Sequence, residues 1–442
     1  MSGSYLNYTI DYFLVESYDG EVVYDMTQCV SSVEYFEDLF SPSIFLRLLL
    51  VNTNGELTTL SKNKDKEKYG MRGGERVSLK ISQLGTNKSI DLDETKTPYY
   101  IYKISDSSTE YTREVLTVDL APEEIFKNET IRVTKKYKDK TINESVTDIL
   151  KDVLKTNNYK SSNIEKSQNT YSFFGNNRKP FTVLTWLAAK SVPASISESS
   201  TEKGTAGFLF YQNQHGYNFK SLDSLFEGLD SNSNRVGIAT YSYAPAAAPF
   251  NEKQNFLILN TPTFEKNVNV FENMRIGMYS SSNTFFDLNT KKADTYVYKL
   301  TESYEIMKHS SSKNDKPEIP LNLQDNPSRI MVKLIDSIVT KTDKDADPLK
   351  ENDPRTKYQS QSVARYNLAF SQVLNITIPL NLNLSVGDIV NLDFGLITKD
   401  SVDKGIRDDI KSGKYLIQQL CHNFSKKDGY TGLKVVRDSY GV

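Results

Sequence analysis

The amino-acid sequence predicts an α+β fold that is mainly β. It has two similar antiparallel β-barrel-like domains, a small α/β domain between them and an insertion in the second. Tyrosine, which favours pleated and half-buried surfaces, occurs 27 times against one tryptophan. Apolar and polar residues alternate over many short segments, as expected of strands with one buried face. A Gly-acid-x-Val-x-Leu pattern also occurs twice, at 74–79 and at 387–392.

Length and composition exclude several classes of protein. At 442 residues, the chain is expected to form about two to four domains rather than one. The net charge of −2 and the isoelectric point near 6.1 do not favour binding to a nucleic-acid backbone. No apolar run has the length of a membrane span and no secretory signal is recognised, so no membrane insertion is expected. Two cysteines, Cys29 and Cys421, do not make a disulfide framework, which favours synthesis in a reducing cytoplasm.

Residues 1–121 are predicted to form the first β domain. Two alternating runs within 8–26 predict a hairpin, and the apolar run 44–51 predicts a strand buried on both faces. Ser31 and Glu34 have the spacing of a capping box, which predicts one helix between these strands. The domain is therefore expected to be a closed or nearly closed β structure with one helix.

Residues 122–250 are predicted to form the middle α/β domain, because the apolar period changes from that of strands to that of helices. Thr141 and Glu144 form a second capping-box pattern, and a further helix is expected to begin at Pro180. Apolar runs on both sides of a His-Gly turn predict a hairpin over 208–219.

The second β domain is predicted to comprise 251–308 and 358–442, interrupted by 309–357. The interrupting segment is polar, charged and contains proline, which is typical of an insertion or exposed arm. Alternation over 268–278 and again over 296–300 predicts strands before it.

The longest alternation of apolar and polar side chains runs over 365–380 and predicts a strand with one buried face. A helix that begins near Pro354 and ends near Phe370 is the alternative for its first residues. Further strand patterns follow, and Asp428-Gly429 predicts a tight hairpin before the last of them.

Both β domains contain strand motifs in the same order. The motif order is a Gly-acid strand, a tyrosine-containing strand and a third strand, at 114–119 in the first copy and 430–437 in the second. Any two antiparallel meanders look alike over so short a pattern, but the shared order of elements favours an internal duplication. The motif residues are Gly74, Glu75, Val77, Leu79 and Tyr100 in the first copy, and Gly387, Asp388, Val390, Leu392, Gly413, Tyr415 and Ile417 in the second.

The sequence predicts no catalytic, cofactor-binding or metal site. It has no motif of a phosphate-binding loop, a dinucleotide-binding fold, a zinc protease or a serine hydrolase. Among the three histidines, His215 fits a polar turn and His422 a surface or interface position. An Asp-x-Asp-x-Asp run at 343–347 resembles the start of a calcium loop. However, Pro348 and Pro354 replace the required glycine and glutamate, so a solvated acidic loop is expected.

Two segments near the C-terminus carry a likeness to a known family: Leu-Ser-Val-Gly-Asp-Ile-Val at 384–390 and Ser-Gly-Lys-Tyr-Leu-Ile at 412–417. With the rest of 358–437, they resemble the central baseplate hub protein of contractile-tailed bacteriophages, a family that includes late-control-D-type tail proteins. A weaker likeness extends over 5–55 and 182–225.

The resemblance implies a structural protein and not an enzyme. In that family three copies form a ring, each copy contributes two tube domains of the same fold, and the six domains surround a channel. Such a homotrimer is a symmetry adapter between a threefold central spike and the sixfold tail tube. Each tube domain is expected to leave strand edges for its neighbour, so that the ring closes edge to edge.

The resemblance also implies the partners and the location. The expected partners are a second and third copy, the central spike protein, the tail tube or tube-initiator protein, and baseplate wedge proteins. DNA would pass through the channel without specific binding, and no cofactor is implied. The expected location is the baseplate of a virion tail, after synthesis in the cytoplasm of a bacterial host.

Two other functions remain open. Tyrosine-rich strands would also suit a carbohydrate- or receptor-binding β-rich tail protein, because aromatic rings stack on sugars, although buried packing is the commoner role of such tyrosines. A wall-degrading hydrolase would need two carboxylates at a defined separation, and the sequence singles out none.

Overall fold

A computed structural model confirms the mainly β α+β fold. No helix among the described residues is both long and apolar enough to cross a bilayer. The structure describes residues 7–17, 20, 23–53, 71–92, 98–168, 170–194, 204–228, 238–243, 257–266, 269–310, 325–335, 354–395, 407–426 and 428–439.

The first β domain begins with the predicted hairpin and continues with six further strands among the described residues. Its strands bury alternate side chains; on the fifth strand Val77, Leu79 and Ile81 are buried and their neighbours half-exposed. The strands are β1 (Tyr8–Glu16), β2 (Val23–Asp25), β3 (Val30–Asp38), β4 (Phe45–Thr53), β5 (Arg76–Gln83), β6 (Ser89–Leu92), β7 (Tyr99–Glu110) and β8 (Arg113–Pro122).

The helix expected after Ser31 is wrong, because this segment is strand β3. Val33 and Tyr35 are buried on one face of β3, and Glu34, the expected capping residue, lies opposite Arg47 of β4. β3 has a paired strand on both edges. Main-chain pairing on two edges outweighs a local capping pattern, since helix propensity is a weak signal beside tertiary contact.

Strand β4 is buried on one face only, so the prediction of two buried faces was wrong. Leu46, Leu48 and Leu50 are buried, whereas Leu49 and Val51 on the opposite face are half-buried. The apolar side chains on the second face of β4 are therefore partly exposed to solvent along one side of the sheet.

The middle module begins directly after β8 and has its own hydrophobic core. Its predicted capping box is confirmed, since the Thr141 N–H donates to Glu144 Oε2 at 2.9 Å, and the helix at Pro180 and the hairpin over 208–219 are also confirmed. Its elements are α1 (Glu123–Thr130), β9 (Lys136–Tyr137), α2 (Ile142–Asp148, followed by a π-helical turn over Ile149–Val153), β10 (Tyr159–Ile164), β11 (Phe173–Phe174), α3 (Pro180–Ala188), β12 (Phe208–Asn213), β13 (Gly216–Ser221) and α4 (Leu222–Glu227).

The chain returns to the large sheet with β14 (Thr240–Tyr243) and β15 (Thr263–Lys266) and then enters an inserted module. This module has a three-stranded sheet and a small hydrophobic cluster of its own. Its elements are α5 (Val270–Ile276), β16 (Ser280–Asp287), β17 (Ala293–Lys299), α6 (Leu300–Ser303), β18 (Arg329–Ile335) and α7 (Pro354–Leu368).

The strand expected over 268–278 is wrong in the described part, where helix α5 is found. The Asn269 side chain caps the helix by accepting the Glu272 N–H at 3.1 Å, and Gly277, with φ of +83°, ends it. Apolar residues four positions apart, Val270 and Met274, fit the period of a helix as well as that of a strand.

The long alternation over 365–380 also begins as helix. Helix α7 continues to Leu368, and the strand begins at Gln372, so the alternative interpretation was correct for the first residues. The last strands are β19 (Gln372–Pro379), β20 (Ile389–Phe394), β21 (Gly413–Ser425) and β22 (Gly429–Arg437), and Asp428-Gly429 lies in the predicted hairpin between β21 and β22.

The predicted arm over 309–357 is only partly described. Its first residues are not exposed: the Ser310 N–H donates to Asp438 Oδ1 at 3.0 Å in the protein interior. β18 pairs in parallel with β16, and Ile330 is exposed on one of its faces. Residues 311–324 and 336–353, which include the calcium-loop-like run 343–347, lie outside the described residues.

One sheet joins both ends of the chain. Within the described residues it has fourteen strands, and one hydrophobic cluster extends through both of its halves. The order is β15-β19-β22-β21-β3-β4-β8-β7-β5-β1-β2, with β6 on β5, β20 on β21 and β14 on β20.

A buried ionic cluster connects the inserted module to the middle module and the end of β22. Arg365 of α7 donates from Nη1 to Asp438 Oδ2 at 2.7 Å and from Nη2 to Asp223 Oδ1 at 3.2 Å. The His309 ring lies 2.9 Å from the same Asp438 oxygen. Burial raises the pKa of Asp438, but the His309 hydrogen bond and the Arg365 charge oppose this and hold that pKa well below its usual range.

We expect Arg365→Met to lower the free energy of unfolding by about 3–5 kcal/mol, because it leaves two buried carboxylates without their cation. Urea unfolding followed by circular dichroism measures this loss. The control is Lys140→Met, which removes a half-exposed partner of Asp148 and should cost no more than about 1 kcal/mol. Equal losses for both variants would contradict the structural role of Arg365.

Candidate functional site

The two Gly-acid motifs form turns with the same backbone conformation. Gly74 has φ of +92° and Gly387 has φ of +91°, a region that residues with a β-carbon rarely adopt. Each glycine is followed by an acidic residue, Glu75 or Asp388, and then by a strand of the large sheet.

The same pair of hydrogen bonds holds each turn to a neighbouring strand. The Gly74 N–H donates to the Ile101 carbonyl at 2.7 Å, and the Ile101 N–H donates to the Glu75 carbonyl at 3.0 Å. In the second copy the Gly387 N–H donates to the Ile417 carbonyl at 3.0 Å, and the Ile417 N–H donates to the Asp388 carbonyl at 2.9 Å. The two turns therefore make equivalent main-chain contacts.

The strands that follow also pair in the same register. Val77 lies opposite Tyr99, and Val390 lies opposite Tyr415. Tyr100, the tyrosine singled out in the sequence, pairs with Arg76 one position further along, and Leu416 stands at its equivalent place. Of the other motif residues, Leu79 is buried opposite Phe13 and Leu92, and Leu392 is buried opposite Gly413.

Each long strand has a β-bulge directly after the tethered isoleucine. The register between β7 and β8 shifts after Ile101, so that Tyr102 is the extra residue, and the register between β21 and β22 shifts after Ile417, at Gln418. A bulge bends a strand and increases its twist, and it allows the strand to continue beside a different neighbour.

Glu75 is buried and Asp388 is half-buried, and both carboxylates accept main-chain hydrogen bonds. Glu75 accepts the N–H groups of Arg72 at 2.6 Å and Gly73 at 2.9 Å. Asp388 accepts the Ser385 N–H at 2.8 Å. Burial raises the pKa of Asp388 to about 6, although this hydrogen bond and the charge of Lys220 lower it. These contacts give both carboxylates a role in shaping the turns.

Four strands in each half of the sheet correspond in order. We call β7-β8-β4-β3 the first sheet unit and β21-β22-β19-β15 the second sheet unit. In the first unit Ile101 lies opposite Leu120, which lies opposite Leu46 on its other side. In the second unit Ile417 lies opposite Val435, which lies opposite Leu374. The equivalent strands in the two units are β7 and β21, β8 and β22, β4 and β19, and β3 and β15.

The two units meet edge to edge where β3 pairs with β21. The register runs antiparallel from Ser425 opposite Ser32 to Gln419 opposite Asp38. The Gln419 amide also donates to Asp38 Oδ2 at 2.6 Å, across the junction. Residues 32–38 of β3 therefore pair without interruption with residues 419–425 of β21, within one chain.

Glu37 binds three parts of the chain together beside this junction. Its carboxylate accepts the Tyr35 hydroxyl at 2.6 Å, the Gln214 N–H of the middle module at 2.6 Å and the Val386 N–H of the second Gly-acid turn at 2.9 Å. Burial raises the pKa of Glu37 to about 7, against the lowering effect of these hydrogen bonds.

Two solved structures are similar to this chain over nearly its whole length. The tail protein from Neisseria meningitidis MC58 has a TM-score of 0.51 and 12% identity, and the match covers 98% of this chain and 97% of that chain. The 43 kDa tail protein of prophage MuSo2 from Shewanella oneidensis has a TM-score of 0.51 and 9% identity, with 97% and 98% covered. The chain has the fold of these tail proteins. No family model matches the sequence, and no curated protein matches it.

The sequence predicted a surface or interface position for His422. In the structure, His422 instead lies buried at the junction between β3 and β21. Its side chain is buried, Nδ1 lies 2.9 Å from the Thr431 hydroxyl, and the ring stacks on Tyr35. Burial lowers the pKa of His422 to about 3. The alternation that includes Cys421 gave the correct strand but could not show that a third strand, β3, covers this position.

No group of three or more histidine, cysteine, aspartate or glutamate side chains among the described residues could hold a metal ion. Cys29 and Cys421 do not form a disulfide. His215 lies exposed in the β12–β13 turn, as expected. No local sequence pattern marks Glu37 and Gln214, because their partners lie more than a hundred residues away in the chain.

We expect alanine to be tolerated better at Gly74 than at Gly387. Gly74→Ala should cost about 1–2 kcal/mol for the left-handed backbone, since nothing lies near the added carbon. In Gly387→Ala the new carbon would stand 2.6 Å from the Tyr211 hydroxyl, which should add about 1–3 kcal/mol. Chemical unfolding of the two variants measures the difference, and equal losses would contradict the close packing of the second turn.

We expect part of the pH dependence of stability to arise at Glu37. Its pKa is raised from 4.5 to about 7 on folding, so the folded protein holds the extra proton between these values. This stabilisation is present at pH 4.5 and is lost as the pH rises through 7, by up to about 3 kcal/mol.

The measurement is the thermal midpoint between pH 5 and pH 8. In Glu37→Gln the decline with pH should be shallower than in the wild type, and the remainder should reflect Asp388. Glu34→Gln, on the other face of the same strand, is the matched control and should keep the wild-type slope. An unchanged slope in Glu37→Gln would show that this carboxyl does not titrate in that range.

Proposed function

We propose that this protein is a structural component of a phage tail baseplate and acts there as the central hub. The main observation in support of this proposal is that the first and second sheet units are equivalent. They share strand order, register, bulge and Gly-acid turn. A homotrimer would contain six such units. Six equivalent units form a ring that matches a sixfold tail tube, while the trimer keeps the threefold symmetry of a central spike.

The two ends of each sheet unit differ in structure, and this difference supports the proposed hub role. At one end both units close with tight hairpins, between Glu110 and Arg113 and between Phe424 and Gly429. At the other end the middle module leaves after Pro122 and the inserted module after β15. Six similar hairpins suit the sixfold tube or tube-initiator protein. The opposite end repeats only three times in a trimer, which suits the spike.

The remaining partners follow from the same arrangement. The modules that project from the ring would be accessible to baseplate wedge proteins. The net charge of −2 provides no excess of cations to retain phosphate, which is consistent with a channel through which DNA passes without specific binding. The proposed location is the baseplate of the virion tail.

Carbohydrate binding is a second candidate function, favoured by one cavity. A cavity of about 210 Å³ between the middle and inserted modules is lined by Tyr171, Trp186 and Tyr358. Lys190 lies 5.1 Å from the centre of the Trp186 ring. Aromatic faces of this kind stack on sugar rings. Saturable glycan binding that Trp186→Ala abolishes would support this function without excluding the hub.

The hub predicts a stable trimer of the 50.2 kDa chain. Mass photometry and analytical ultracentrifugation of the full chain should show a trimer at micromolar concentration, and electron microscopy should show rings with an axial channel. A monomer that persists at micromolar concentration would contradict the proposal.

A further inference from the structure

The cavity between the middle and inserted modules has aromatic side chains from both modules. Tyr171 and Trp186 belong to the middle module, and Tyr358 and Tyr366 belong to helix α7. The first two rings meet edge to face with their centres 5.5 Å apart. Such side chains present flat apolar surfaces, which suit the C–H faces of a sugar. The cavity volume of about 210 Å³ is below that of typical drug-binding pockets, so the cavity suits a single ring.

The charged side chains that line this cavity, within the described part of the chain, are lysines. Lys190 follows helix α3, and its ammonium lies 5.3 Å from the centre of the Tyr171 ring. Lys333 lies on strand β18. No aspartate or glutamate is among the described residues that line the cavity. The lining therefore favours an anionic ligand over a cationic one.

Lys333 lies on the face of β18 that points into the protein. Successive side chains of a strand point to opposite faces. Val332 and Leu334 are 68% and 67% exposed on one face, whereas Lys333 on the other face is half-buried. The Lys333 ammonium donates to Gln359 Oε1 of α7, so the side chain points toward this helix. At this position the strand therefore directs apolar side chains outward and a cation inward, the reverse of the usual pattern.

The hydrogen-bond partner of Lys333 among the described residues is a neutral amide. Burial lowers the pKa of Lys333, and no carboxylate in the described part of the chain opposes that shift. A partly buried ammonium without a counterion is costly, because it loses part of its hydration and gains no anion in return. Ionisable groups in such surroundings cluster at functional sites.

We propose that this cavity binds one ring of an anionic saccharide, a sugar that carries a carboxylate or phosphate group. The anion would pair with the Lys333 ammonium, and the sugar ring would pack against the aromatic side chains of the two modules. The inference rests on the second candidate function, carbohydrate binding, and specifies the chemical class of its ligand. It is independent of the hub role, because one chain supplies the whole cavity.

The test compares two anionic sugars with a neutral one. Methyl glucuronide and glucose 6-phosphate carry a charged group at the carbon where methyl glucoside carries a neutral hydroxyl. Calorimetric titration of the full chain at low ionic strength should show saturable binding of an anionic sugar. Methyl glucoside should bind at least about tenfold more weakly, because it cannot form a charge-assisted hydrogen bond with Lys333.

Lys333→Met tests the contribution of the cation. The variant keeps a flexible side chain but removes the charge, so the anionic sugar should bind at least about tenfold more weakly while the affinity for methyl glucoside is unchanged. The thermal midpoint should not fall, because a partly buried charge is lost with the side chain. Lys333→Arg keeps the charge and should retain the preference for the anionic sugar. The matched control is Lys292→Met, at an exposed lysine before β17, which should change neither affinity.

The alternative outcomes separate the inference from the function on which it rests. Methyl glucoside binding as tightly as both anionic sugars would overturn the anionic ligand and leave carbohydrate binding standing. N-acetylglutamate and inorganic phosphate carry the same charged groups without a sugar ring. If they bind as tightly as the anionic sugars, the ring is not recognised and the inference is overturned. Absence of binding by all three sugars would overturn both the inference and carbohydrate binding.

Discussion

The structure depends on main-chain hydrogen bonding between strand edges, above all the pairing of β3 with β21. This contact joins residues from the two ends of the chain, such as Asp38 and Gln419, and makes two four-stranded units into one sheet. Backbone groups bond without regard to side-chain identity. The contact can therefore be retained while the two units diverge, provided that the Gly-acid turns and the bulges keep the strands in register.

Buried polar groups add specificity to this main-chain contact. Glu37 accepts hydrogen bonds from β3, from the middle module and from the second Gly-acid turn, so the three parts share one carboxylate. Arg365 does the same for the inserted module through Asp223 and Asp438. Removing any one part would leave a buried polar group short of one partner, which costs about 1–3 kcal/mol.

Local rules predicted those elements whose cause is local. The turns at Gly74 and Gly387 could be recognised in the sequence because their backbone conformation suits few residues other than glycine. The capping box of Thr141 and Glu144 could be recognised because both residues lie within one turn of the same helix. Ser31 and Glu34 have the same spacing as a capping box, but their segment pairs with β4 and β21 and is therefore a strand. The burial of Glu37 and His422 depends on strands hundreds of residues away, so no window of sequence contains the information.

The position of the inserted module has a further consequence. It occupies the loop between β15 and β19, two adjacent antiparallel strands, where the first sheet unit has only the short connection from β3 to β4. Neighbouring strands keep the entry and exit of such an excursion about 5 Å apart whatever its size. The inserted module can therefore change in size without moving β15 and β19 apart in the sheet.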